Sequence, residues 1–165
     1  MNDLVSVIMS TYNSEATVSV AIESILEQSY SNVEFLIVDD ASNDNTVKII
    51  EKYCKISKNI KLFKNVENVG LTKNLNFLIN QSTGVFIARQ DDDDYSLPER
   101  LNVQVQTIKK YNLDFCSTRA LIIDTNKKIP NFSMYLPKKF VLKFKNPFVH
   151  GTLCIQKKIT VKYRM

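Results

Sequence analysis

Glycine is scarce in this chain of 165 residues, occurring only as Gly70, Gly84 and Gly151. Neither GxGxxG nor GxxxxGK followed by Ser or Thr can be written from them, which excludes the glycine-rich loops that cradle dinucleotide or ATP phosphates. Any phosphate held here is held by other means. Cysteine is equally sparse: Cys54, Cys116 and Cys154 are odd in number, far apart and in no metal-binding spacing, and they read as ordinary core thiols. No apolar run approaches the ~18 residues of a membrane span. The leading MNDLVSVIMS has no basic start and no small-residue cleavage site, so a cytoplasmic protein is expected. Carboxylates run out early, since none follows Asp124.

At 44% hydrophobic and 24% charged residues the composition is that of a soluble globular protein, with length for one domain. Its charge is divided. Residues 1–100 carry 9 Lys and Arg against 15 Asp and Glu, and residues 101–165 carry 13 against 2. The basic segment 138–164 is interleaved with Phe140, Phe144 and Phe148, and two readings stand: a solvated basic face, or peripheral contact with an anionic membrane. No nucleic-acid partner is expected.

Apolar periodicity supplies the elements. Residues 5–9 form a β-branched run, a buried strand, ended by the polar Ser10, Thr11, Tyr12, Asn13 and Ser14. Val18, Ala21, Ile22, Ile25 and Leu26 recur at helical spacing within 15–28. A second strand, 33–38, stops at Asp39 and Asp40, and residues 42–45 offer caps for a helix whose inward face is Val47, Ile50 and Cys54. The pattern predicts a strand at 60–63, a helix over 71–80, a strand at 85–88, and a helix beginning at Pro98 with Leu101, Val105 and Ile108 inward. Beyond Tyr111, residues 115–116, 120–123 and 152–156 read as strands and 127–131 as a turn. Strands alternating with helices imply a mostly parallel sheet covered on both faces, with ligands beyond the carboxyl ends of its strands. That singles out the loops 10–13, 39–42 and 91–94.

Asp91, Asp92, Asp93 and Asp94 follow the apolar strand 85–88 directly. On an extended segment alternate carboxylates share a side, so Asp91 and Asp93 are expected to converge. Like charges so close repel unless a cation lies between them, and Mg²⁺ or Mn²⁺ suits carboxylate oxygens while leaving positions for substrate phosphates. A solvated acidic face is the competing reading. Asp40 reads either as an acceptor for a ribose or base or as part of a helix cap.

The segments VSVIMSTYN (5–13), SILEQSY (24–30), EFLIVDDASND (34–44), NVGLTKNLN (68–76) and GVFIARQDDDDYSLPERL (84–101) resemble, in order, the inverting glycosyltransferases of family 2, with NPFVHGTLCIQKK (146–158) resembling the acceptor-side segment that follows. The resemblance implies an α/β fold of GT-A type, a Rossmann-like sandwich around a mostly parallel central sheet with helices on both faces. It implies one domain, with 1–111 binding the nucleotide-sugar and 112–165 forming part of the acceptor side. Ser10, Thr11 and Tyr12 correspond to the loop against the base, with Ser10 standing where the family often has proline. Asp40 matches the carboxylate that contacts base or ribose, and Lys73 falls where the diphosphate is lined, or is a surface helix lysine. Asp91 and Asp93 match the ends of the family's DXD motif, with Asp93 the direct metal ligand, Asp91 near the ribose and the metal's water shell, and Asp92 where a small residue is common. A UDP-sugar donor, a divalent cation, a saccharide or lipid-linked acceptor and bacterial surface polysaccharide synthesis are the implied chemistry. Homo-oligomerisation is left open.

Inversion needs a base for the acceptor proton. The family takes it from an acidic motif well downstream, and residues 125–165 hold no Asp or Glu. His150, the one histidine, is either that base, a phosphate ligand or an ordinary loop residue. The expectation is a chain cut short before its base, either an enzyme or a fragment that binds donor and metal. A phosphotransferase using one of Asp91–Asp94 as nucleophile is a more remote reading.

Overall fold

The computed structural model describes residues 3–130 and 148–162. Its elements are β1 (Val5–Thr11), α1 (Val18–Leu26), β2 (Val33–Asp39), α2 (Thr46–Ile56), β3 (Ile60–Lys64), α3 (Leu71–Gln81), β4 (Phe86–Arg89), α4 (Arg100–Tyr111), β5 (Phe115–Cys116), β6 (Ala120–Ile122), β7 (Lys127–Ile129), β8 (Cys154–Gln156) and α5 (Lys157–Lys162). One six-stranded sheet runs β3-β2-β1-β4-β8-β5, and β6 pairs with β7 apart from it. The β3-β2-β1-β4 half is parallel, and β8 runs antiparallel to both β4 and β5. The mostly parallel α/β sandwich expected from the sequence is therefore present.

Strand pleating decides what lies on each face. Val5, Val7 and Met9 of β1 join Phe35, Ile37, Phe86 and Ala88 on one side, where α1, α2 and α4 contribute Ile22, Ile50, Leu101 and Ile108. Ile8 joins Leu36, Val38 and Ile87 on the other, beneath Leu75, Leu78 and Ile79 of α3. Helices thus cover both faces. Full burial of such a side chain contributes about 2 kcal/mol, so α1, with five buried residues, is anchored more firmly than α2, which buries only Thr46 and Ile50.

At the amino end of the sheet a polar knot closes β1 against β2. Glu34, 8% exposed, accepts hydrogen bonds from Ser6 Oγ at 2.7 Å and from the Thr83 amide and hydroxyl at 2.6 and 2.8 Å. Burial opposes its ionisation, but those bonds and Lys61 outweigh it and hold the carboxyl below its usual range. Gly84 donates its amide to Ser6 Oγ at 2.8 Å, and it lies so close to β1 that a Cβ would sit 2.7 Å from both Leu4 O and Ser6 N.

Three local expectations change. The helix expected from Pro98 starts at Arg100, because the Leu101 amide donates to Gln28 Oε1 and the Pro98 carbonyl accepts from the Ser29 amide, taking both out of the helical ladder. Residues 127–131, read as a turn, include β7, and the reversal lies before it in a short 3-10 turn, Ile123–Thr125, closed by Asn126 at φ 51°. The acidic run 91–94 is not extended: the Asp94 amide returns to the Asp91 carbonyl at 3.3 Å and makes it a turn.

Candidate functional site

The carboxyl ends of β1, β2 and β4 lie side by side in the sheet, and beyond them opens a cleft of about 530 Å³ lined by residues 10–14, Ala16, Thr17, Asp40, Asn68, Gly70, Leu71, Asp92 and Asp93. Its size falls within the ~300–1,000 Å³ of small-molecule sites. Position and polarity match the expectation from the sheet.

One wall is the loop after β1. Ser10 accepts a bond from Asn74 Nδ2 at 3.1 Å, Thr11 is buried with its hydroxyl turned to Asp39 at 3.3 Å, and Tyr12 leaves its ring 47% exposed at the mouth. This loop is braced on the one after β2, with the Asn13 amide donating to Ser42 Oγ at 2.9 Å and the Asn43 amide to Asn13 Oδ1 at 2.8 Å. Asp44 caps α2 by accepting the Thr46 amide at 2.9 Å.

Asp40 is 3% exposed. Its Oδ1 accepts from Asn65 Nδ2 at 2.8 Å and the Val69 amide at 2.9 Å, and its Oδ2 accepts from the Gly70 amide at 2.9 Å. Burial raises its pKa, but the bonds from Val69, Asn65, Asn74 and Gly70 prevail and keep it below the ordinary carboxylate value. Asp40 therefore lines the cleft and also clamps the loop that leads into α3. Gly70, at φ 89°, takes a left-handed conformation that suits glycine and starts that helix.

The acidic turn forms the opposite wall, and its four carboxylates divide by position in the turn. Asp92 and Asp93 line the cleft. Asp92 accepts from Ser14 Oγ and, at 3.4 Å, from the Tyr12 amide, tying the two walls together. Asp91 instead pairs with Arg89 Nε at 2.8 Å and, with Asp94, faces Gly151, where a Cβ would lie 2.6 Å from Asp94 Oδ2 and 2.8 Å from Asp91 Oδ2. Because a turn rather than an extended segment carries them, Asp93 lines the cleft beside Asp92, while Asp91 lies with Asp94 toward Gly151. Burial is the main cause that raises the Asp92 carboxyl, opposed by Ser14 and Tyr12. Partial burial, then Asp91 and Asp93, raise Asp94.

A divalent cation would relieve such crowding. Among the described residues no group of three or more His, Cys, Asp or Glu is placed to hold a metal ion, and the acidic turn presents two carboxylates, Asp92 and Asp93, to the cleft. That donor set fits Mg²⁺ or Mn²⁺ completed by water and substrate phosphate.

Lys73 is exposed on the first turn of α3 and is not among the residues lining the cleft. His150 is exposed in a 3-10 turn, His150–Thr152, one residue before the contact of Gly151 with the acidic turn. Of the basic segment 138–164, residues 138–147 and 163–164 lie outside the described residues. No helix among them is long and apolar enough to cross a membrane. Sequence reasoning missed Gln90, Ser96, Arg100 and Gln104, all buried behind the acidic turn. The available signal was polar residues on an apolar stripe, since 100 and 104 share a face with Leu101, Val105 and Ile108.

Comparison with known proteins agrees with this fold. Residues 6–163 match the family model described as Glycosyl transferase family 2. EpsE of Bacillus subtilis (strain 168) is 39% identical over 155 residues, covering 92% of this chain and 56% of its own length. The Escherichia coli UDP-Glc:alpha-D-GlcNAc-diphosphoundecaprenol beta-1,3-glucosyltransferase WfgD is 37% identical over 130 residues, covering 78% of this chain and 50% of its own. The crystal structure of S. aureus TarS 1-349 in complex with UDP-GlcNAc superposes with a TM-score of 0.80 at 25% identity, covering 96% of this chain and 46% of that one. The chain thus spans about half the length of the relatives it matches.

Proposed function

This chain belongs to glycosyl transferase family 2, and we propose that it transfers a sugar from a UDP-sugar to an acceptor hydroxyl with inversion, assisted by Mn²⁺ or Mg²⁺, in bacterial surface polysaccharide synthesis. The observation that carries the reading is the cleft itself, in which the loop of Ser10, Thr11 and Tyr12 faces the carboxylates of Asp92 and Asp93. The bound nucleotide-sugar of TarS and the lipid-linked acceptor in the name of WfgD support the two substrate classes.

In this reading Tyr12 lies against the base, and Asp40 holds the wall formed by Asn68, Gly70 and Leu71. Asp93 holds the cation, Asp91 and Asp92 shape its surroundings, and Lys73 is assigned to the rim near the diphosphate. When bound, the cation offsets the negative charge that grows on the departing nucleoside diphosphate. Residues 1–111 make the donor half and residues 112–165 part of the acceptor half. Peripheral contact with an anionic membrane through 138–164 brings the chain to a lipid-linked acceptor.

The acceptor proton needs a base, and His150 is the residue to test. A second reading is donor binding without transfer by this chain, which spans about half the length of its relatives. The test is a panel of α-linked UDP-sugars with saccharide and lipid-linked acceptors, run on the chain and on His150→Ala, with products read by NMR. The expected outcome is β-linked product that requires a divalent cation. An α-linked product contradicts inversion, and bound UDP without product selects the second reading.

A further inference from the structure

A buried polar group behind the acidic turn takes no part in the donor reading above. Arg100, the first residue of α4, is 9% exposed, and its guanidinium donates to Gln90 Oε1 at 2.8 Å, Ser96 Oγ at 2.5 Å, Gln104 Oε1 at 3.3 Å and the Arg89 carbonyl. All four acceptors are neutral, and the carboxylates of Asp94 and Asp91 act on the guanidinium only at longer range, without a direct bond. Gln90, 1% exposed, turns its amide nitrogen onto the turn, donating to the carbonyls of Asp91 at 3.0 Å and Asp94 at 2.7 Å. On the far side Gln104 Nε2 reaches the Thr152 carbonyl at 2.6 Å, next to Gly151, whose backbone packs on Asp91 and Asp94.

Burying a cation among neutral oxygens is a poor way to stabilise a core, because well-packed apolar side chains do as well or better. A planar fork with fixed donor directions supplies orientation instead. The Gln90 amide is oriented by Arg100 and Ser96 on its oxygen, and it fixes the first and last carbonyls of a turn whose two middle side chains line the cleft. We infer that Gln90 and Arg100 are positioning residues for the acidic turn: Arg100 sets Gln90, and Gln90 sets the backbone that presents Asp92 and Asp93. This rests on the cleft being the donor site.

Gln90→Glu separates positioning from folding. It keeps side-chain size and an acceptor for Arg100, which becomes an ion pair, but it turns an oxygen onto the carbonyls of Asp91 and Asp94. The added negative charge by itself favours cation binding, so weaker binding reports lost geometry. Arg100→Lys, which keeps the charge and loses the fork, is the second variant and decides if the first fails to fold. UDP is titrated into each folded variant with Mn²⁺ present, and amide exchange is followed in the same samples. Loss of two hydrogen bonds is expected to weaken UDP binding about tenfold, with faster exchange of the Asp94 amide and unchanged exchange in β1 and β4. UDP affinity equal to the parent's in the folded variants, with Asp94 as protected as before, overturns the inference even where the melting temperature falls. A parent that binds no UDP overturns the donor reading instead, and the Asp94 amide then still decides whether Gln90 and Arg100 hold the turn.

Discussion

Asp40→Ala is expected to remove the wall between β2 and α3 and to cost stability and UDP binding together. Three donors converge on this carboxylate, the amides of Val69 and Gly70 and the side chain of Asn65. Leaving a buried donor without a partner costs about 1–3 kcal/mol, and water entering the space recovers part of that. A fall of about 3 kcal/mol in unfolding free energy is therefore expected by denaturant titration. UDP affinity should fall at least about tenfold, because Asn68, Gly70 and Leu71 line the cleft from the same loop. Asp40→Asn should lie between, since one oxygen remains for the Val69 and Asn65 donors while its amide faces that of Gly70. The bonds that hold the folded-state pKa down favour the ionised form. The stabilisation is thus complete at neutral pH and is lost as pH falls below about 4. Equal stability of Asp40→Ala and the parent at pH 7 would refute the clamp.

Gly84→Ala is expected to be nearly as damaging, with no ligand involved. A methyl group there meets Leu4 O, Ser6 N and Ser6 Oγ, each at 2.7 Å. The first two belong to backbone entering the central strand β1, so no side-chain rotation makes room. Relief requires β1 to shift against Glu34 and Thr83, which opens the polar knot at 2.6–2.8 Å. Overpacking of this kind costs about 3 kcal/mol, which for a chain of this length lowers the melting temperature by about 10 °C. A variant melting with the parent would show that the approach of residue 84 to β1 is looser than described.

The parallel half of the sheet was legible in the sequence because β1, β2 and β4 are buried on both faces and read as mostly apolar runs, with β3 only partly buried, while the intervening helices keep a 3.6-residue stripe. Val5 to Met9 and Leu71 to Asn80 needed no tertiary information. Of the β6-β7 hairpin only β6 was legible, because Leu121, Ile122, Lys127 and Lys128 are all exposed and no buried face imposes an alternation on β7. The carboxylates of the site could be found from their place after β4, but their grouping could not. Which of the four carboxylates line the cleft depends on one backbone hydrogen bond and on Gln90, and neither leaves a periodic trace. Asp40 was found for its place at a strand end, whereas its clamp on residues 65–70 depends on contacts distant in sequence.

The cleft's assignment as a donor site stands or falls on calorimetric titration of UDP into the intact chain with Mn²⁺, with EDTA in its place, and into Asp93→Ala. Saturable one-to-one binding that needs the cation and is lost in Asp93→Ala is the outcome predicted. Absence of binding in the parent, or binding indifferent to both EDTA and the Asp93 side chain, would contradict it.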